Sequence, residues 1–373
     1  MGINLKSRQK IAVALSGGVD SAVAAALLKE QGYQLIGVFM DCRQKGTECR
    51  ADKDRQDALR AASHLKIPFR VFDFRREYRQ QVLNYFYREY QKGRTPNPDI
   101  LCNQKIKFGL FMKKSLKSLG VSHIATGHYA HIEQENSSFR LFQAQDKSKD
   151  QSYFLYRLNQ DQLAHAIFPL GKITKKQVRQ KAKKLGLSNW NRPDSQGICF
   201  IGEVDLFNFL RQRIKEKEGF VVNAKGQKIG RHKGIWFYTI GQRHGFTINR
   251  YQGTPLYVID KDIKNNLLIV GKRKEAYRQK FAVEDLSWVS GRPFTGECLI
   301  RIRHLGELIP GSIYPDSDLK KDLYHVKLKK AVFAVAPGQS AVFMSPPKNK
   351  RIEVLGGGII LNPSQPLLSE SLI

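Results

Sequence analysis

The stretch IAVALSGGVDSAVAAALLKEQ, residues 11–31, constrains the fold more than any other part of the chain. Residues 11–15 are apolar without a break. A strand there is buried on both faces, which calls for a parallel sheet with helices on either side. Gly17 and Gly18 then turn the chain, and the alanine- and leucine-rich run 21–31 is a strong helix former that closes at Gly32. Strand, glycine turn and helix together open a βαβ unit.

The alternation continues for about two hundred residues. QLIGVFM (34–40) reads as the next strand, and DKDRQDALRAASHLK (52–66) as a helix with aspartates at its start. PFRVFDF (68–74) is strand-like, and residues 76–92 form an amphipathic, tyrosine-rich helix suited to core packing. Two prolines make TPNP (95–98) an extended loop. A helix over about 103–119 and a strand around HIATGHY (123–129) follow. These elements predict a doubly wound α/β nucleotide-binding domain over 1–205, with ligands at the carboxyl ends of its strands. Beyond it, frequent glycines and alternating runs such as GIWFYTI and PLYVID predict a small β-rich domain over 206–278. ECLIRIRH, LYHVKLKK and AVFAVAPGQSAVFM then predict a β-barrel over 279–373.

In a strand–turn–helix context, ALSGGVDS (14–21) is a phosphate cradle: the glycines let backbone amides approach an anion, and the helix start adds positive potential. Ser16 and Ser21 can donate hydroxyl hydrogen bonds, and Asp20 can hold a magnesium ion that bridges phosphates. The charge balance adds a second partner. Sixty-three lysines and arginines face 33 acids, a net charge of +30, and the excess is clustered. Residues 103–120, 174–187 and 225–250 contain no acid, the footprint of a nucleic-acid binder. No apolar stretch is long enough to span a bilayer and the first ten residues hold no apolar signal region, so a cytoplasmic chain is expected.

The five cysteines, at 42, 49, 102, 199 and 298, have neither disulfide-framework nor zinc spacing, and no metal site is expected among them. Two stand out. GRTPNPDILCNQKIKFG (93–109) delivers Asp99 and Cys102 on a proline-stiffened loop at a basic helix start. There a thiol is expected below its free pKa of about 8.5, with Lys105 and Lys107 adding to the field. Cys199 lies in DSQGICFIG (194–202), a polar loop that ends the first domain. The two read as a working pair, one carrying sulfur and the other resolving the product. Cys42 and Cys49 read as structural or incidental, and Cys298 as strand packing.

SGGVDS resembles the pyrophosphate loop of the ATP-pyrophosphatase superfamily, whose members cut ATP between its α and β phosphates and so need no lysine on the terminal ones. Together with TPNPDILCNQKIKFG, ATGHYA, KDQSYFL, SQGICFIG, YTIGQRHG and PLYVIDKD, in order along nearly the whole chain, it resembles the bacterial-type tRNA-specific 2-thiouridylase family. The resemblance implies an ATP site at Ala14, Leu15, Ser16, Gly17, Gly18, Val19, Asp20 and Ser21, with Met40 and Gly127 lining the adenosine pocket. It implies that Asn97, Pro98 and Asp99 meet the target uridine, with Asp99 a candidate acid–base. Cys199 would receive sulfur as a persulfide, and Cys102 would attack that persulfide or form a transient disulfide with it. Lys149, Asp150 and Gln151 would contact tRNA, as would Arg303 and His304, where the family pattern has Arg-Tyr.

The implied reaction is sulfur transfer to C2 of the wobble uridine of tRNA, through an adenylated base. ATP with Mg2+ would be consumed, and sulfur would come from a cysteine desulfurase or a relay protein. A monomer is expected. Two rivals remain: another enzyme of the superfamily, such as an amidotransferase or tRNA lysidine synthetase, and a non-catalytic basic RNA-binding module. Neither needs both Cys102 and Cys199.

Overall fold

A computed structural model describes residues 9–44, 48–194, 197, 199, 205–249, 253–316 and 322–361. The N-terminal residues 1–8, the Cys49 side chain and most of DSQGICFIG beyond Asp194, apart from Gly197 and Cys199, lie outside the described residues.

β1 (Lys10–Ala14) is buried at every position after Lys10, as its unbroken apolar run requires. It lies at the centre of a five-stranded parallel sheet with β2 (Gln34–Asp41), β3 (Phe69–Asp73), β4 (His123–Ala125) and β7 (Ala166–Ile167), in the order β3-β2-β1-β4-β7. Helix α1 (Val19–Glu30) is buried over much of its circumference, and its small alanines let it lie close to both the sheet and the helix Lys175–Lys184. The order reverses at β1, with β2 on one side and β4 on the other. That opens a crevice between the loops after β1 and β4, where such sheets hold ligands.

Helix 75–91 buries Tyr78, Tyr87 and Tyr90, so its tyrosines pack inward as expected. It is not a plain α-helix: residues Arg79–Leu83 wind as a π-helix. The TPNP loop is shorter than the two prolines suggested. Asn97 caps a helix and Pro98 is its first residue, a position where the missing N–H costs nothing. That helix runs on through a π-helical stretch, Cys102–Phe111, to Leu119. The strand at HIATGHY ends at Ala125, which frees Thr126–His128 for the crevice.

The β-rich remainder divides in two. β8 (Gly219–Asn223), β9 (Lys228–His232), β10 (Thr247–Ile248), β11 (Tyr257–Asp262) and β12 (Leu267–Gly271) form one sheet, ordered β10-β9-β8-β12-β11. The barrel consists of β13 (Tyr277–Trp288), β14 (Gly296–Arg301), β15 (Ile309–Pro315), β16 (Tyr324–Phe333), β17 (Ser340–Met344) and β18 (Glu353–Ile360). β13 pairs with β18 and closes it. Cys298 sits in the barrel core, where burial pushes its thiol up to about 12.

One feature runs across the expected boundary. The hairpin β5 (Ala130–Glu135) and β6 (Ser138–Gln143), from the first two hundred residues, pairs with β18 and extends the barrel's sheet. Sequence order gives no sign of this, because the pairing joins residues more than two hundred positions apart.

Candidate active site at the mouth of the parallel sheet

The glycine loop is held by hydrogen bonds between its own serines. The Ser16 amide donates to Ser21 Oγ at 3.1 Å, the two hydroxyls are 3.2 Å apart, and Ser21 Oγ donates to the Gly18 carbonyl at 3.0 Å. Gly17 has φ +79°, a conformation only glycine adopts readily, and a Cβ there would stand 2.4 Å from the Asp54 carbonyl oxygen. Across the crevice, Gly127 lies so close that a Cβ would stand 2.7 Å from the Ser21 amide nitrogen. Ala14, Leu15, Val19 and Met40 are buried, so any contact they make with a nucleotide in the loop is through the backbone or the edge of a side chain.

Supports absent from the sequence reading complete the loop. Asn189 Nδ2 and Arg192 Nη1 donate to the Gly17 carbonyl at 2.9 and 3.2 Å, and Arg192 pairs with Asp54 and with Asp57 at 2.7 Å. Asp20 receives Lys175 Nζ at 2.7 and 2.8 Å and the Tyr129 hydroxyl at 2.7 Å. Lys175 also pairs with Asp194 at 2.7 Å. Burial raises the pKa of Asp194, but bonds from Lys149 and Lys175 outweigh it and hold the carboxyl at about 2. A nucleotide phosphate fits this cradle: bare backbone, two hydroxyls and a lysine at its edge. Magnesium fits less well, since Asp20, the expected ligand, is already engaged by Lys175 and Tyr129.

Sequence distance closes completely at the second cluster. Cys102 and Cys199, 97 positions apart, have their sulfurs 3.7 Å apart. Asp99 Oδ1 accepts the Cys199 amide at 2.9 Å, the Tyr78 hydroxyl donates to the Cys199 carbonyl at 2.7 Å, and Asn97 Oδ1 accepts the Asp99 amide at 3.1 Å. Two separate segments, residues 97–102 and the helix that carries Tyr78, therefore fix one cysteine. Lys107, from the π-helical stretch, hydrogen-bonds the Cys199 sulfur.

The electrostatics reverse the sequence expectation for Cys102. It is fully buried, and desolvation pushes its thiol well above the ordinary value, outweighing the nearby Lys107. Cys199 carries the lowered pKa instead, because the Cys102 thiol donates to its sulfur and Lys107 stands beside it. Burial raises Asp99, so that carboxyl holds a proton at higher pH than a free aspartic acid. Cys42, also buried, is pushed up by desolvation.

The residues expected to face tRNA are bound into the protein to different degrees. Lys149 Nζ pairs with Asp194 at 2.7 Å, and Gln151 Oε1 accepts the Tyr129 amide at 3.0 Å. Asp150 departs from the expectation. Its side chain is wholly inaccessible and accepts bonds from Gln143, Ala144, Ser152 and Arg301, the last a 2.9 Å ion pair to the barrel. It has no surface left for RNA. His304 bonds the Asp150 carbonyl through Nε2 at 2.9 Å and its half-buried ring lies 4.3 Å from that of Phe154 at a 41° tilt, so one side of it rests against the protein. Arg303 donates to the Phe333 carbonyl at 2.8 Å at an exposed position. Two lysines from the acid-free segments, Lys107 and Lys175, also point into the two sites rather than toward solvent. Among the described residues no group of three or more metal-ligating side chains comes together.

Comparison with known proteins gives consistent matches along the chain. Residues 9–203 match the family described as tRNA methyl transferase HUP domain, 207–272 the tRNA methyl transferase PRC-barrel domain, and 278–360 the aminomethyltransferase β-barrel domain. The chain is similar to the tRNA-specific 2-thiouridylase MnmA of Proteus mirabilis, at 42% identity over 95% of this chain and 97% of that protein. Its similarity to the Colwellia psychrerythraea protein of the same name is 40%, covering 94% and 95%. Among solved structures, a 4-thiouridine synthetase in complex with RNA and ATP aligns at 18% identity and a TM-score of 0.34, covering 55% of this chain and 50% of that one.

Proposed function

The chain belongs to the tRNA-specific 2-thiouridylase family and transfers sulfur to tRNA; from that premise we propose how its own residues carry the reaction. The loop from Ala14 to Ser21 binds the phosphates of ATP, with Gly17, Gly18 and Gly127 admitting them at backbone distance and Met40 bordering the adenosine. Magnesium would arrive as the counter-ion of the nucleotide rather than as a ligand of Asp20, and no step depends on it. The target uridine leaves its stack and enters beside Asn97, Pro98 and Asp99. Its C2 oxygen displaces pyrophosphate from the α-phosphorus, so the oxygen becomes part of a good leaving group, AMP. Asp99 holds or gives up the proton this exchange moves. Cys199 presents sulfur at C2 as a persulfide; Cys102, once deprotonated, attacks its inner sulfur, so that a Cys102–Cys199 disulfide forms as the outer sulfur leaves as hydrosulfide, which bonds to C2 and displaces AMP.

The single observation that carries this reading is the 3.7 Å meeting of Cys102 and Cys199 beside Asp99, across 97 residues. An amidotransferase or ligase has no use for it. RNA is held by the basic faces, with Arg303, Lys149 and Gln151 at the rim. Asp150 and His304 position these contacts by joining the barrel to the catalytic segment. The protein acts in the cytoplasm as a monomer, supplied by a desulfurase or a relay protein.

The test is mass spectrometry of tRNA nucleosides after incubation with ATP, magnesium and a persulfide source. Wild type yields 2-thiouridine and Cys199→Ser yields none. Equal product from both would refute the carrier role, and unmodified tRNA from wild type would refute sulfur transfer.

A further inference from the structure

We propose that Lys107 is a catalytic residue of the sulfur transfer, its ammonium holding the Cys199 sulfur as an anion ready to take up sulfur. The proposal deepens the sulfur-transfer reading and rests on it.

The helix geometry makes the contact. In an α-helix, residues five apart point about 140° away from each other. Residues Cys102–Phe111 wind as a π-helix, in which hydrogen bonds run from i to i+5, so Lys107 comes round to the side of Cys102. Gln162 Nε2 donates to the Phe108 carbonyl at 2.8 Å and to the Gln104 carbonyl at 3.2 Å, pinning that stretch from outside. Lys105, on the same segment, is exposed. The winding thus selects one lysine of the basic run for the site and leaves the other in water.

The charges around Lys107 agree with the role. Cys199, Cys102 and Asp99 all favour its charged form, and together they outweigh the cost of burying an ammonium, so it stays protonated. Cys102 is fully buried and donates its own proton toward Cys199. The pair is therefore divided: burial holds the proton on Cys102, while the Cys102 donor and the Lys107 ammonium favour the anionic form of Cys199. Loading then balances without an oxidant. The Cys199 sulfur attacks the outer sulfur of a donor persulfide R–S–SH; the new S–S bond forms as the donor's S–S bond breaks, and R–S⁻ leaves with the electron pair. A neutral residue at 107 would remove one of the two partners, beside the Cys102 donor, that favour the Cys199 anion, leaving less of it ready to attack.

The test measures alkylation of Cys199 by iodoacetamide against pH, read on the Cys199 peptide by mass spectrometry. It needs no ATP, tRNA or sulfur donor. In Lys107→Met the rate at neutral pH falls at least about tenfold and its pH midpoint moves up, the size of effect an adjacent opposite charge exerts. Lys107→Arg restores the charge and much of the rate, and Lys105→Met leaves the profile where it was. Melting temperature identifies any variant that fails to fold, in which case Lys107→Gln replaces it. Unchanged alkylation in a folded Lys107→Met or Lys107→Gln protein would overturn the proposal. Failure of wild type to make 2-thiouridine would instead overturn the sulfur-transfer reading and leave the thiolate result intact.

Discussion

Asp99 holds two positions at once. Its Oδ1 accepts the Cys199 amide, and its carboxyl is buried enough that protonation is favoured. A carboxyl raised in the folded state stabilises the fold below its ordinary pKa and loses that contribution as pH rises through the raised value. At neutral pH its ionised form therefore costs stability. Asp99→Asn keeps an oxygen for the Cys199 amide and removes that cost. It should melt higher than wild type at pH 7 while losing about 10²- to 10⁴-fold in thiolation rate, the usual worth of an acid–base group. Asp194 runs the other way. Held at about 2, it adds stability above the ordinary carboxyl range, and that contribution disappears as pH falls toward 2. Asp194→Asn should cost about 1 kcal/mol at pH 7, discounted for solvent screening, and next to nothing at pH 2, measured by denaturant unfolding.

The elements bear on the site through close backbone approach. The loop after β4 can face α1 only because position 127 has no side chain; a methyl there meets the Ser21 amide and the Asp20 backbone rather than a movable side-chain tip. Gly127→Ala should raise the KM for ATP severalfold or more while leaving tRNA affinity near wild type, in steady-state assays with each substrate varied. Gly17→Ala is expected to be harsher. It combines a left-handed φ with a 2.4 Å approach to the Asp54 carbonyl, so a loss of about 1–3 kcal/mol in folding stability should accompany the loss of ATP binding.

Across the whole molecule, the buried Asp150–Arg301 pair connects the catalytic segment to the barrel, reinforced by the β6–β18 pairing. Breaking a buried pair from one side strands the other charge, which costs about 3–5 kcal/mol. Arg301→Leu should therefore lose that much in denaturant unfolding, and the double variant Arg301→Leu with Asp150→Leu should lose less than the two singles summed. The net charge of +30 belongs at this scale too. Each phosphate neutralised releases condensed counterion, so tRNA affinity should fall linearly with salt on a log–log plot. Arg303→Ala should lower that slope by about one if the exposed guanidinium meets a phosphate.

Local chemistry made much of this protein legible from its residues alone. An unbroken apolar run has to be a doubly covered strand, and a Gly-Gly turn into an alanine helix has to be a close backbone approach. Alternating runs late in the chain marked a β-rich half, though Ile235–Phe237 of GIWFYTI winds as a short 3-10 turn and β12 pairs with β8 in parallel rather than antiparallel. SGGVDS, Asp99 and the two cysteines were visible on the same terms. Tertiary structure alone decided the rest. Which thiol carries the lowered pKa depends on burial and on spatial partners, and burial raised Cys102, the cysteine whose sequence setting looked the more basic. Which lysine serves the site depends on a π-turn that propensity does not encode. Whether Asp150 faces RNA depends on a barrel arginine 151 positions away. Periodicity is a property of neighbours in the chain, while desolvation and pairing are properties of neighbours in space, and those exist only after the chain has folded.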